Sequence, residues 1–143
     1  MKKIVDQINP EIWKTYFKFS VVRNPWDMVV SMFYYRRIAR NYKDNFDDLV
    51  KKMGTERNHN YDIYKINNQY ICDFYIKYEN LENDLKYVLE KCNIKNYDLK
   101  NLKKFNSNYK PVNTDYKKYY NDERKKIIRD LYSDYIEKFN YEF

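Results

Sequence analysis

Arg23, Asn24, Pro25, Asp27 and Ser31 are the residues of this chain whose types and spacing could act together. They lie within YFKFSVVRNPWDMVVSMFYYRR, residues 16–37. Phe17, Phe19, Val21 and Val22 make an apolar, β-favouring run that ends on Arg23. A helix start follows at once, with Asn24 as N-cap, Pro25 at the first helical position and Asp27 where a capping-box acid would sit. Backbone N–H groups and the positive end of the helix dipole then point into the same small volume as the Arg23 guanidinium. Asn24 and Ser31 are seven residues apart, about two turns, which sets the Ser31 hydroxyl on the capped face. A strand-end arginine, a helix N-terminus and a hydroxyl on one side suit a phosphate. The plainer alternative is that Arg23 pairs with a carboxylate and Ser31 only packs.

The elements that must position these groups can be read from periodicity and caps. Residues 4–15 read as a short helix, broken near Asn9-Pro10 because proline disfavours helix at the residue before it. Residues 17–23 read as a strand buried on both faces, as parallel strands are. The helix from Pro25 runs to about Arg40 and exposes Arg36, Arg37 and Arg40 near its C-terminal end, where cations are favoured. Asn45 or Asp44 caps a short helix through Met53, with Phe46, Leu49, Val50 and Met53 at helical spacing. Residues 54–70 read as polar and irregular, with helical character near Ile63 to Tyr70. A second strand is expected at 72–78, with Phe74, Ile76 and Tyr78 on one face. Asn80 then caps a helix whose stripe is Leu81, Leu85, Val88, Leu89 and Cys92. A long connection from Asn93 to Tyr120 ends at Asn121, the N-cap of a last helix carrying Ile127, Ile128, Leu131, Tyr132, Tyr135, Ile136 and Phe139. The fold class is α/β with an incomplete sheet.

The chain has 143 residues, one domain's worth, and we expect a single domain over 1–143. Its net charge of +7 suits a polyanionic partner. Many lysines alternate with acids on helix faces, however, and no nucleic-acid motif is present, so nucleic acid is not the expected partner. Tyrosine is abundant, 18 residues, alongside heavy Asn, Lys and Ile usage. That bias suits an AT-rich genome and carries no functional weight. No 18-residue apolar stretch occurs, so no membrane span is expected. The N-terminus lacks the apolar core of a signal peptide. Cys72 and Cys92 lack metal-ligand or CxxC spacing and read as buried reduced thiols, which fits a cytoplasmic location. No metal site is expected.

The segment around Arg23 resembles the 3′-phosphate-binding motif of the sulfotransferases: arginine, any residue, proline, then serine eight positions after the arginine. Here these are Arg23, Asn24, Pro25 and Ser31. The wording is closest to the carbohydrate-type and bacterial branch, where F-x-F-x-x-V-R-N-P-W/Y is typical. CDFYIKYENLENDLKYVLEKCNI (72–94) resembles the strand, Y-E-N-L turn and helix found downstream in that family. YYNDERKKIIRDLYSDYIEKFNYEF (119–143) resembles its terminal helix, with Asn140 where the family usually has glycine. Together the three matches cover roughly half of the chain.

The resemblance implies a P-loop-NTPase-like parallel sheet flanked by helices. It implies 3′-phosphoadenosine 5′-phosphosulfate as cosubstrate, adenosine 3′,5′-bisphosphate as its bound product, and a carbohydrate or small hydroxyl acceptor. Arg23 and Ser31 would hold the 3′-phosphate, and Tyr78 would pack near the adenine, although a core tyrosine on a strand is the alternative. Ser107, with Asn106, would lie in a segment closing over the nucleotide, the alternative being an ordinary Asn/Ser turn. Sulfotransferases also carry a Pro-Lys-x-Gly-Thr-Thr loop that grips the 5′-phosphosulfate. This chain has one glycine, Gly54, after no strand. It therefore reads as an N-terminally truncated member, a split half, or a non-catalytic remnant that binds the bisphosphate or another polyanion. A strand edge left unpaired by the truncation predicts a dimer or a partner chain. No catalytic base is assigned; His59 and Glu79 are the groups considered for proton chemistry.

Overall fold

The computed structural model describes residues 8–55, 64–99, 109–111 and 113–143, and the chain is mixed α/β. It divides into two compact units, Met1–Val22 with His59–Leu102 and Arg23–Asn58 with Lys103–Phe143. Among the described residues no helix is long and apolar enough to cross a membrane.

In the first unit, helix α1 (Pro10–Thr15) starts where proline fits best, with the Asn9 side chain accepting from the Glu11 N–H. Strand β1 (Phe19–Val22) pairs in parallel with β4 (Phe74–Lys77), in a register from Phe19 opposite Phe74 to Val22 opposite Lys77. Asp73 locks the entry to this pair. Its carboxylate accepts the Lys18 N–H at 2.7 Å and lies 2.9 Å from the Lys18 ammonium. The expectation that β1 is buried on both faces is corrected. Val22 is buried, but Phe19 is 45% and Val21 40% exposed. The physical reason is that, among the described residues, β4 alone pairs with β1.

Strands β2 (Lys65–Ile66) and β3 (Gln69–Tyr70) form an antiparallel hairpin where helical character was expected. Asn67 and Asn68 turn it with φ of 48° and 63°, the double left-handed requirement of a type I′ turn, which asparagine tolerates. Tyr64, just ahead, donates its hydroxyl to the Val21 carbonyl at 2.8 Å. After β4 a 3₁₀ turn (Tyr78–Asn80) leads into α4 (Leu81–Lys91), which buries Val88. Asn80 stands at the N-cap position but makes no side-chain cap. Its amide instead donates to Asp84 and its carbonyl oxygen accepts from Asn83. Cys72 is half-buried and Cys92 exposed, so the expectation of two buried thiols is also corrected. Cys92 falls at the end of α4, where the stripe has run out.

The second unit is helical: α2 (Pro25–Ala39), α3 (Phe46–Thr55), α5 (Asp122–Leu131) and α6 (Ser133–Phe139). Phe46, Leu49, Val50 and Met53 of α3 are buried as their spacing predicts, and Trp26, Val29, Val30 and Phe33 of α2 are buried as well. Asn45 caps α3 through the Asp48 N–H, and Asn121 caps α5 through the Arg124 N–H. Gly54 lies in α3 at its contact with α5; a Cβ there would stand 3.0 Å from the Ile127 Cγ2. The chain's one glycine therefore serves close helix packing. The single last helix expected from the stripe is two helices, broken at Tyr132 (φ −110°, ψ 21°), although Ile128, Tyr132, Tyr135 and Phe139 are all buried. Asn140 ends α6 in the left-handed region at φ 50°, so asparagine meets there the backbone demand that glycine usually meets.

Candidate functional site

The first turn of α2 is positioned by Asn24, which is 8% exposed and fully engaged. Its Oδ1 accepts the N–H groups of Trp26 and Asp27 at 3.1 and 3.3 Å. Its Nδ2 donates to the Glu142 carbonyl at 2.8 Å. Two of the helix-end amides that could have met an anion are thus already satisfied by the cap. Trp26 is held from both ends, its indole donating to the Lys125 carbonyl and its own carbonyl accepting the Tyr120 hydroxyl. Burial pushes that phenol far above its ordinary range, so Tyr120 remains a neutral donor. Tyr116, Tyr120 and Trp26 all meet the Phe143 ring edge-on. The 3₁₀ turn Tyr116–Tyr119 adds a second contact to α2, in which the hydroxyls of Tyr34 and Tyr119 hydrogen-bond to each other. That bond, and then burial, holds Tyr119 up at about 12.

Within this frame the Arg23 guanidinium lies on Asp27. Nε donates to Oδ2 at 2.7 Å, and Nη2 is 2.5 Å from the same oxygen. The plainer reading of Arg23, a carboxylate partner, is thus realised, and the partner is its own helix's first-turn acid. The other Asp27 oxygen takes the ammonium of Lys110, 83 residues away in sequence. All three side chains are largely withdrawn from water, at 21% exposure for Arg23, 16% for Asp27 and 19% for Lys110. Beside Lys110, Tyr109 sets its ring edge-on against Tyr35 at 5.4 Å, and the Arg40 guanidinium lies over the other partner, Tyr35.

Ser31 follows Asp27 by one helical turn and is half-buried. Among the described residues its hydroxyl makes no hydrogen bond. Tyr78 belongs to the other unit, in the turn after β4, and is 47% exposed, so it is not a core strand tyrosine. Glu79 is exposed on the same turn. Ser107, Asn106 and His59 lie outside the described residues. Sequence reasoning missed Lys110. Its signal was only its place in the FNSNYKP segment, because nothing local shows that a lysine returns to a helix start so far upstream.

No protein-family model and no solved structure matches the chain. A curated protein of Archaeoglobus fulgidus, described as uncharacterized, is 34% identical over 92 residues, spanning 62% of this chain and 77% of the archaeal one.

Proposed function

We propose that this chain, which belongs to the family of that archaeal protein, is a sulfotransferase-lineage protein. Its ligand on this reading is 3′-phosphoadenosine 5′-phosphosulfate or adenosine 3′,5′-bisphosphate. The observation that carries the reading is the convergence of Arg23 and Lys110 on one point at Asp27. Two cations from distant segments are what a phosphate monoester needs, and arginine can meet it with two parallel N–H bonds. The Ser31 hydroxyl supplies a further donor one turn along. The spacing Arg23, Pro25, Ser31, read on a helix that starts at Pro25, supports the same assignment. The cap-satisfied amides of Trp26 and Asp27 do not contribute, so side chains carry the grip.

On this reading β1 and β4 are two strands of a P-loop-like parallel sheet, and the acceptor is a hydroxyl of a carbohydrate or small molecule. The exposed Phe19 and Val21 of β1 are then the surface for a partner chain or a second copy. Calorimetric titration with adenosine 3′,5′-bisphosphate tests the ligand. Wild type binds, while Arg23→Ala and Lys110→Ala each weaken binding by about tenfold or more, the loss expected for one charged hydrogen-bond donor. Equal affinity in all three proteins overturns it.

A second reading, binding without transfer, is favoured by Gly54. The one glycine of these 143 residues is inside α3 against Ile127, not in a loop that could cradle a 5′-phosphosulfate. Bisphosphate binding without sulfuryl transfer to any hydroxyl acceptor is its signature.

A further inference from the structure

This inference rests on the reading of Arg23 and Lys110 as an anion site and concerns what that site selects. Asp27 spends one carboxylate oxygen on each cation, Oδ2 on Arg23 and Oδ1 on Lys110. The three charges sum to a single positive charge in a place mostly closed to water. An anion that reaches both cations therefore comes up against a carboxylate already seated between them. Two anionic oxygens at hydrogen-bond distance repel unless a proton lies between them, and in a partly buried site that repulsion is not screened away. A sulfate ester is fully ionised near neutral pH and brings no proton. A phosphate monoester has its second pKa at about 6, so its monoanion still carries a P–OH group.

We propose that Asp27 makes this site selective for a protonated phosphate monoester over a sulfate ester. Asp27 accepts the P–O–H hydrogen bond, while Arg23 and Lys110 donate to the ionised phosphate oxygens. A ligand with a phosphate monoester at one end and a sulfate-bearing group at the other then enters in one orientation, phosphate end to Arg23. Among the described residues, the groups recorded against Asp27 are Arg23 ahead of α2, Lys110 on the 109–111 segment and the Tyr120 phenol, which Tyr116 and Tyr132 in turn adjoin. Among the described residues no histidine or thiol is recorded against it, and the ligand's own second ionisation falls between about pH 5 and 8.

Methyl phosphate and methyl sulfate are the probes, titrated calorimetrically at about pH 5.5 and about pH 8.5, either side of the phosphate's second pKa. Wild type is expected to prefer the phosphate by about tenfold at the lower pH, one charge-assisted hydrogen bond's worth, and to lose most of that preference at the higher pH. Asp27→Asn is expected to bind both esters within about threefold of each other and to take the sulfate more tightly than wild type does. The wild-type pH series needs no variant, so the test stands even if Asp27→Asn folds poorly. Equal affinity of wild type for both esters at the lower pH, or an undiminished preference in Asp27→Asn, overturns the selectivity. If Arg23→Ala binds both esters as wild type does, the anion site itself falls with it.

Discussion

The Tyr135 phenol closes both backbone hydrogen bonds of Arg23: it accepts the Arg23 N–H at 2.9 Å and donates to the Arg23 carbonyl at 3.1 Å. One side chain thus does for Arg23 what a neighbouring strand would do for a ladder residue. Tyr135 is itself buried, stacked on Tyr141 and edge-on to Phe139. Tyr135→Phe keeps the packing but leaves two backbone groups unpaired. We expect a loss of about 1–3 kcal/mol in urea unfolding, the cost of buried polar groups without partners. A change below about 0.5 kcal/mol, the usual size of a surface substitution, would show that water replaces the phenol.

Gly54 offers a second test. Alanine is favoured over glycine in a helix by about 1 kcal/mol. Against that, the added methyl would stand 3.0 Å from Cγ2 of Ile127, on a β-branched residue with little rotamer freedom. We expect the clash to win, with Gly54→Ala less stable by about 1 kcal/mol. Ile127→Leu removes the offending methyl, so the double variant should recover part of the loss. Simple additivity of the two single changes would show that the helices separate freely there.

High pH should loosen the fold through its tyrosines. Burial holds Tyr75 at about 12, and the bond to Tyr34 holds Tyr119 at about 12, both above the ordinary 10.0. The folded state keeps these protons more tightly than the unfolded chain does. Their stabilisation is therefore complete below pH 10 and is lost as pH rises from 10 towards 12. Urea midpoints across that range should fall steeply in wild type and less steeply in Tyr75→Phe and Tyr119→Phe. Parallel curves in all three proteins would contradict the assignment.

The two cysteines should react in a fixed order. Cys92 is exposed, whereas Cys72 is half-buried and burial raises its thiol above the ordinary value. Because the thiolate is the reactive form, a thiol reagent at neutral pH should modify Cys92 first and Cys72 slowly. Cys92→Ser should leave only the slow phase. A fast phase surviving in that variant would place Cys72 in the open.

Local signals carried much of the fold into view, and long-range contacts did not. Asn24-Pro25, Asn45 and Asn121 announce helix starts because a capping oxygen and a proline act within three residues of themselves. The hairpin at 65–70 escapes the sequence reading, because the apolar spacing around Asn67-Asn68 resembles a helix turn. The break at Tyr132 has no proline or glycine to announce it, and its buried residues keep helical spacing across the interruption. At the candidate site, Arg23 and Ser31 could be picked out from spacing on one helix. The Lys110 contact and the Tyr135 clamp depend on how the chain returns from its far end, which no window of sequence contains.

Among the described residues, six non-glycine positions have positive φ, and all six are asparagine: Asn41, Asn67, Asn68, Asn93, Asn113 and Asn140. The sole glycine is not among them. In this protein asparagine takes the left-handed corners that glycine more often takes elsewhere. A search for tight bends must scan such a chain for asparagine, since its one glycine lies within a helix and none of these six corners uses it.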